Sequence, residues 1–172
     1  MSSDKFDRNR AKRRREQLQL RLTRQGWSET FREVAPLLCS ANVKFAKLPP
    51  ARAREYLQRV SRTPGRDERI YWPEIQDAHC SPWSDLHQCC TLIVAALNAC
   101  GAGHDRIGIV FHTATAGLLL NAATVRKAWP LIHEHIHETV WLVPTSPSAW
   151  LVEVSFVDQE ICFTTSMTNR SL

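Results

Sequence analysis

The chain contains no run of about 20 apolar residues, the length that a membrane-spanning helix requires. Its first residues, Met1 to Arg8, include no apolar stretch of the kind found in a secretory signal peptide. No internal repeat is present, and the one low-complexity segment is a basic stretch near the N-terminus. We therefore expect a soluble, cytoplasmic protein without a membrane span.

Several motifs that would indicate a particular enzymatic or binding activity are also absent. No C-x-x-C pair occurs, and the glycines lack the spacing of a phosphate-binding or dinucleotide-binding loop. The H-x-E and P-C-x-x-C elements of zinc deaminases are absent, as are the patterns of zinc fingers, RNA-recognition motifs and basic zippers. We expect no cofactor, and an enzyme is the less favoured class of protein.

Cysteine is present without a pattern that indicates disulfides. The six cysteines are Cys39, Cys80, Cys89, Cys90, Cys100 and Cys162. Free cysteine packs as a small apolar residue and is often buried, whereas disulfide frameworks belong mainly to short secreted chains. Because a cytoplasmic protein is predicted, we expect reduced thiols that mostly serve ordinary core packing.

Positive charge is concentrated in the first part of the chain. The 172 residues carry a net charge of +5, yet residues 1–69 contain 18 Lys or Arg and 8 Asp or Glu, whereas residues 70–172 contain 4 and 9. The length suits one domain with a core and an arm. We predict a flexible basic arm over residues 1–25, a basic helical segment over 26–69 and a compact α+β domain over 70–172.

The stretch from Trp83 to Cys100 predicts a central helix. Its apolar residues recur every three or four positions, serines precede it and glycines follow it. Because little polar face is left, we expect this helix to be buried. The run Ile107–Phe111 lacks alternation and predicts a strand covered on both faces.

The rest of the compact domain shows the apolar periodicity of a helix followed by apolar patterns typical of strands. Residues 114–138 predict a helix that Pro130 kinks or divides. Residues 139–143, 150–156 and 160–165 predict three strands of an antiparallel meander with one face on the core. The predicted fold class is α+β, with a basic N-terminal helical arm and helices packed on a mainly antiparallel sheet that ends in this meander.

The segment before residue 70 predicts two further helices. Pro36 interrupts the first, and a loop over residues 41–49 leads to the second, which begins at Pro50. Residues 70–72 predict a short edge strand.

The basic arm is the most informative functional feature. Arginine outnumbers lysine by seven to two between residues 4 and 25, and its planar guanidinium suits phosphate contacts. On a helix, the side chains of residues 12–15 would point in all directions and would not form one basic face. We therefore expect the arm to be flexible when it is free and to become ordered on binding. The candidate nucleic-acid-binding residues are Arg8, Arg10, Lys12, Arg13, Arg14, Arg15, Arg21, Arg24, Arg52, Arg59 and Arg62.

These charges predict a non-enzymatic protein that binds nucleic acid, or another anionic partner, through residues 5–24. One alternative is a small protein-interaction module, such as an inhibitor or immunity protein that neutralises another protein. In that case the C-terminal domain would supply the protein contact or a homodimer interface, with tryptophans as anchors.

A second alternative is a metal- or cysteine-dependent enzyme. The weak candidate metal ligands are His79, Cys80, His87, His133 and His137. His133 and His137 are four residues apart and share a helix face, but the H-E-x-x-H motif is not formed, and a solvated polar face explains the same residues. A nucleophile would be Cys80 or Cys89 acting with His112.

Overall fold

The computed structural model of the chain describes residues 31–49, 51–53, 55–56, 70, 72–111, 117–136 and 139–165. The predicted basic arm over residues 1–25 lies outside these ranges. Within them, no helix is long and apolar enough to cross a membrane.

A seven-stranded sheet organises the described residues. In chain order, its strands are β1 (Phe45–Leu48), β2 (His79–Pro82), β3 (Arg106–Phe111), β4 (Gly117–Asn121), β5 (Val140–Pro144), β6 (Leu151–Ser155) and β7 (Glu160–Thr164). Across the sheet the order is β1-β4-β3-β5-β6-β7-β2, and each neighbouring pair is antiparallel. This confirms the α+β class, the mainly antiparallel sheet and the C-terminal meander of β5, β6 and β7.

Helices cover one face of the sheet. They are α1 (residues 31–40), α2 (Leu86–Ala99) and α3 (Val125–His133). Side chains from alternate strand positions, such as Ile109, Leu142 and Val152, pack against Ile93 of α2 and Trp129 of α3. This face carries the larger of the two hydrophobic cores.

The other face carries a second, smaller core. A helical stretch at residues 51–53 and 55–56 and a 3-10 turn at Trp72–Glu74 cover it. Val110, Trp141 and Leu151 point to this side. The central strand β3 is therefore covered on both faces, as its apolar run predicts.

Helix α2 differs from its prediction in its start and in its burial. Asp85 caps it, because the carboxylate Oδ1 accepts a 2.8 Å hydrogen bond from the Gln88 backbone N–H. The helix ends before Gly101, whose φ of 69° is the left-handed closing conformation. Its outer face, which includes Ala95 and Ala99, is exposed, so the expectation of all-round burial is wrong. The outward alanines present too little apolar area to require a cover.

The predicted helix over residues 114–138 is wrong in its first part. Residues 117–121 form β4, which pairs with β3 on one side and β1 on the other. Leucine is a good helix former, but two ladders of backbone hydrogen bonds and burial of Leu118 and Leu120 override that local preference.

Two short edge strands were not predicted. The expected loop over residues 41–49 contains β1, and β2 occupies residues that precede α2. Pro49 directly follows β1 and Pro82 is the last residue of β2; prolines at such positions are typical of edge strands because proline cannot donate to a further ladder. Conversely, Trp72 of the expected strand over 70–72 lies in a 3-10 turn.

Prolines lie inside two helices without dividing them. Residues 31–40 are helical through Pro36, and α3 runs through Pro130. The prediction that Pro130 divides its helix is therefore wrong, whereas a kink at either proline stays a prediction. Each proline removes the donor for the carbonyl four residues earlier, at Arg32 and Arg126, and both arginines are exposed, so water can hydrogen bond there.

Candidate functional site

A row of directly paired residues crosses the smaller-core face near the β2 edge. Trp141 on β5 pairs with Glu153 on β6, Glu153 pairs with Cys162 on β7, and Cys162 pairs with Cys80 on β2. Directly paired residues on antiparallel strands project to the same face. The row therefore brings an indole, a carboxylate and two sulfurs side by side.

Glu153 links this row to the 3-10 turn above the sheet. Its Oε2 accepts a 2.7 Å hydrogen bond from Trp141 Nε1, and its Oε1 accepts a 3.0 Å hydrogen bond from Trp72 Nε1. Both indoles are buried and the glutamate is half-buried. Because buried polar groups need partners, one carboxylate satisfies two indole donors and orients both rings.

Cys80 and Cys162 form a disulfide between β2 and β7, 82 residues apart in the chain. Cys80 is exposed and Cys162 is buried. For this pair the expectation of reduced thiols is wrong: strand pairing brings the two Cα atoms within 4.1 Å, a proximity that the sequence does not indicate. The other four cysteines, Cys39, Cys89, Cys90 and Cys100, are free.

A carboxylate lies beside the disulfide. Glu160 is two residues before Cys162 on β7, so both side chains project to the same face. One ligand atom from each of Cys80, Cys162 and Glu160 lies within 4.8 Å of the others. In the described part of the chain, this is the one group of three His, Cys, Asp or Glu residues whose atoms approach closely enough to hold a metal ion.

The predicted metal candidates do not meet in one site. His79 neighbours Cys80 on β2 and therefore projects to the opposite face, where its ring stacks on Phe163 with centroids 5.2 Å apart. His87 is exposed on α2, and His133 on α3 lies beside Phe156. His137 lies outside the described residues.

The candidate nucleophiles are unsuited to attack. Cys80 is held in the disulfide. Burial raises the pKa of the Cys89 thiol to about 12. A thiol that stays protonated near neutral pH is a poor nucleophile. His112, the expected base, lies outside the described residues.

The described cations near the N-terminal part of the chain gather at the β1 edge of the sheet. Lys44 and Lys47 belong to β1 or directly precede it, Arg32 lies on α1, and Arg52 follows β1. All four are exposed, and we call them the basic edge. Of these, only Arg52 was a predicted site residue; Arg59, Arg62 and the predicted cations between Arg8 and Arg24 lie outside the described ranges.

Two contacts shape the basic edge. Lys47 Nζ lies 5.5 Å from the ring centre of Phe31, the first described residue after the arm. Arg52 Nη1 donates a 2.6 Å hydrogen bond to Glu55, and this bond raises the pKa of the guanidinium. The first described residues, Phe31 and Arg32, therefore lie next to an exposed cation of β1.

The opposite edge of the sheet is acidic. Exposed or half-buried carboxylates surround β2 and β7, and we call them the acidic edge: Asp77, Asp85, Asp158 and Glu160. No Lys or Arg occurs in residues 70–105 or 128–169. Adjacent strands are about 4.8 Å apart, so the six gaps between β1 and β2 separate the two edges by roughly 29 Å. Charge thus varies across the sheet from positive to negative.

No protein family, curated protein or solved structure matches the chain.

Proposed function

We propose that this protein binds nucleic acid, without catalysing a reaction, through residues 5–24 together with the basic edge. The observation that carries the proposal is the charge of residues 1–69, where 18 Lys or Arg stand against 8 Asp or Glu. Such a density of cations favours an anionic partner, and nucleic acid is the most abundant polyanion in the cytosol, the compartment that we propose for this protein.

The chemistry of the arm supports phosphate as its target. Arginine presents a planar fork of N–H donors that matches two phosphate oxygens, and arginine dominates the arm. Each phosphate that is neutralised releases condensed counterions, which gives affinity without sequence specificity. The proposal therefore concerns the phosphate backbone and not a particular base sequence.

The position of the basic edge supports a shared binding surface. Arg32 and Lys47 lie at or beside Phe31, which follows the arm closely in the sequence, so a phosphate chain bound by the arm can continue onto Lys44 and Lys47. The acidic edge is on the far side of the sheet and would repel the same ligand.

The test compares the full chain with a shortened chain that starts at Gly26. Fluorescence anisotropy would measure the affinity of both for short duplex DNA and for single-stranded RNA over a salt series. We expect the full chain to show a steep negative slope of log K against log salt, and the shortened chain to lose several units of slope, at about 0.9 per duplex phosphate contact. Equal affinity and slope for the two chains would refute the proposal, as would absence of binding by the full chain at low salt.

A further inference from the structure

The Cys80–Cys162 pair has the surroundings of a metal site as well as those of a structural disulfide. Glu160 pairs with Pro82 two positions along the same ladder, so the two sulfurs and this carboxylate share one face of two hydrogen-bonded strands. Ligands fixed on paired strands need little further ordering when an ion binds. We infer that the reduced pair binds a zinc ion through Cys80, Cys162 and Glu160, with water as the fourth ligand, and that formation of the disulfide releases the ion.

The donor set suits zinc. Thiolates are soft ligands that favour Zn²⁺ over Mg²⁺ or Ca²⁺, and a carboxylate completes many zinc sites. With Zn–S bonds of about 2.3 Å, the two sulfurs of a tetrahedral site lie about 3.8 Å apart. Each thiolate reaches such a separation by rotation about its Cα–Cβ bond once the S–S bond is broken, while the β2–β7 ladder stays paired.

Other nearby groups leave the fourth position to water. His79 projects to the opposite face of β2, where it stacks on Phe163. Glu153 is directly paired with Cys162, but its two oxygens already accept hydrogen bonds from Trp141 and Trp72. A zinc site with three protein ligands and one water is typical of open rather than purely structural sites.

The local charge favours a dication. The site lies on the acidic edge, with Asp77, Asp85 and Asp158 on neighbouring segments. No Lys or Arg occurs in residues 70–105 or 128–169, from which both strands come. Two thiolates and Glu160 supply three negative charges, and the exposed position of Cys80 leaves the site open to solvent.

The reducing step is an ordinary thiol–disulfide exchange with a dithiol reductant. A thiolate of the reductant attacks the exposed Cys80 sulfur, the S–S bond breaks, and Cys162 leaves as a thiolate. The second thiol of the reductant then attacks the mixed disulfide, which yields the Cys80 thiolate and the reductant's own disulfide. Two electrons pass to the protein. The reverse exchange, with an oxidised dithiol as electron acceptor, reforms the Cys80–Cys162 bond and releases the zinc ion.

The free cysteines do not offer an equivalent site. Burial raises the pKa of Cys89 to about 12 and that of Cys100 to about 11, so both remain protonated thiols near neutral pH. Cys39 is exposed, but among the described residues it belongs to no cluster of metal ligands. Cys39 therefore provides a matched control, an accessible thiol that should not contribute to binding.

The experiment uses the full chain, reduced with a phosphine and measured without nucleic acid, so that its outcome is independent of the proposed nucleic-acid binding. Zinc is added alone and its affinity measured with a competing chromogenic chelator; cobalt substitution then reports thiolate ligation through a near-ultraviolet charge-transfer band. We expect about one tightly bound ion per reduced chain and none per oxidised chain.

Variants assign the ligands. Cys80→Ser should abolish the thiolate–cobalt band and tight binding. Glu160→Gln removes a direct ligand and should weaken binding by at least roughly 10-fold, the lower value typical for loss of an outer-shell partner. Cys39→Ser should behave as the unmodified chain. Cys80 and Glu160 are chosen because neither is fully buried, and circular dichroism would check that each variant is folded. Equal binding by the oxidised chain or by Cys80→Ser, or no stoichiometric binding by the reduced chain, would overturn the inference.

Discussion

Trp141 and Glu153 are directly paired across β5 and β6, and the indole Nε1 donates a 2.7 Å hydrogen bond to the carboxylate. The second carboxylate oxygen holds Trp72, which lies in the 3-10 turn above the sheet. One side chain thus connects the sheet to the segment that covers its smaller core. The same pairing row continues into Cys162 and Cys80, so Glu153 lies directly beside the disulfide.

Replacement of Glu153 should therefore destabilise the protein. In Glu153→Gln, one oxygen becomes an NH₂ group that cannot accept from an indole, and we expect a loss of about 2 kcal/mol in the free energy of unfolding. Urea denaturation would measure it. The control is Glu134→Gln at an exposed position, which should change stability by less than about 0.5 kcal/mol. Equal effects of the two substitutions would show that the indole hydrogen bonds contribute nothing.

Gly117 and Gly101 are required for different reasons: the first because no side chain fits there, the second because of its backbone conformation. A Cβ on Gly117 would overlap the carbonyl oxygen of Ile109 on the paired strand, whereas a Cβ on Gly101 meets no atom within 4 Å. Gly101 instead has φ of 69°. We expect Gly117→Ala to cost at least about 3 kcal/mol, because backbone must move, and Gly101→Ala to cost about 1 kcal/mol of left-handed strain. Thermal denaturation would compare them; a smaller loss for Gly117→Ala would contradict the steric account.

The buried thiol of Cys89 predicts a loss of stability at alkaline pH. Burial raises its pKa in the folded state from the ordinary 9.0 to about 12. Between these values the unfolded chain loses the proton and the folded chain keeps it, so the stabilisation is complete below about pH 9 and decreases as pH rises, by at most about 1.4 kcal/mol per pH unit.

Comparison with Cys89→Ala isolates this effect. The stability difference between the unmodified chain and the variant, measured by urea denaturation, should be smaller at pH 10 than at pH 7 by about 1 kcal/mol. A difference that is constant with pH would mean that Cys89 ionises in the folded protein as easily as in the unfolded chain.

The basic edge should contribute to the salt dependence of nucleic-acid binding. In the full chain, Lys44→Gln combined with Lys47→Gln should lower the log–log salt slope on duplex DNA by up to about 2 units, at about 0.9 per lost phosphate contact. The matched control, Arg126→Gln with Lys127→Gln on the exposed side of α3, removes the same charge elsewhere. Equal slopes for the two double variants would indicate a general effect of net charge and no specific contact at the β1 edge.

Elements with local signals could be predicted from the sequence. The end of α2 follows from Gly101. Strand β6 follows from apolar alternation, and β5 and β7 follow from short apolar runs bounded by turn residues. Strands that depend on partners far away in the sequence could not be predicted in this way. Gly117 to Leu120 shows no alternation because both its faces are covered, and it adopts the strand conformation only between β3 and β1.

Among the candidate sites too, those that depend on local composition could be predicted and those that depend on distant partners could not. The charge of the arm is a property of composition and needs no structure. The disulfide depends on partners 82 residues apart, and the hydrogen bonds of Glu153 join it to indoles 81 and 12 residues away. The alternating pattern correctly predicted that Glu153 lies on the face opposite Val152 and Val154. No periodicity, however, indicates which side chains contact Glu153 on that face.

The position of β2 also determines which groups lack their partners while the chain is being synthesised. This strand lies at the end of the sheet beside β7, and Cys80 is made 82 residues before Cys162. At about 5 to 20 residues per second, the ribosome takes roughly 4 to 16 s to cover that distance. Throughout this interval the nascent chain carries a thiol without its partner and a strand without its neighbour. A pause in translation within these residues would prolong the period in which Cys80 can react with the wrong sulfur.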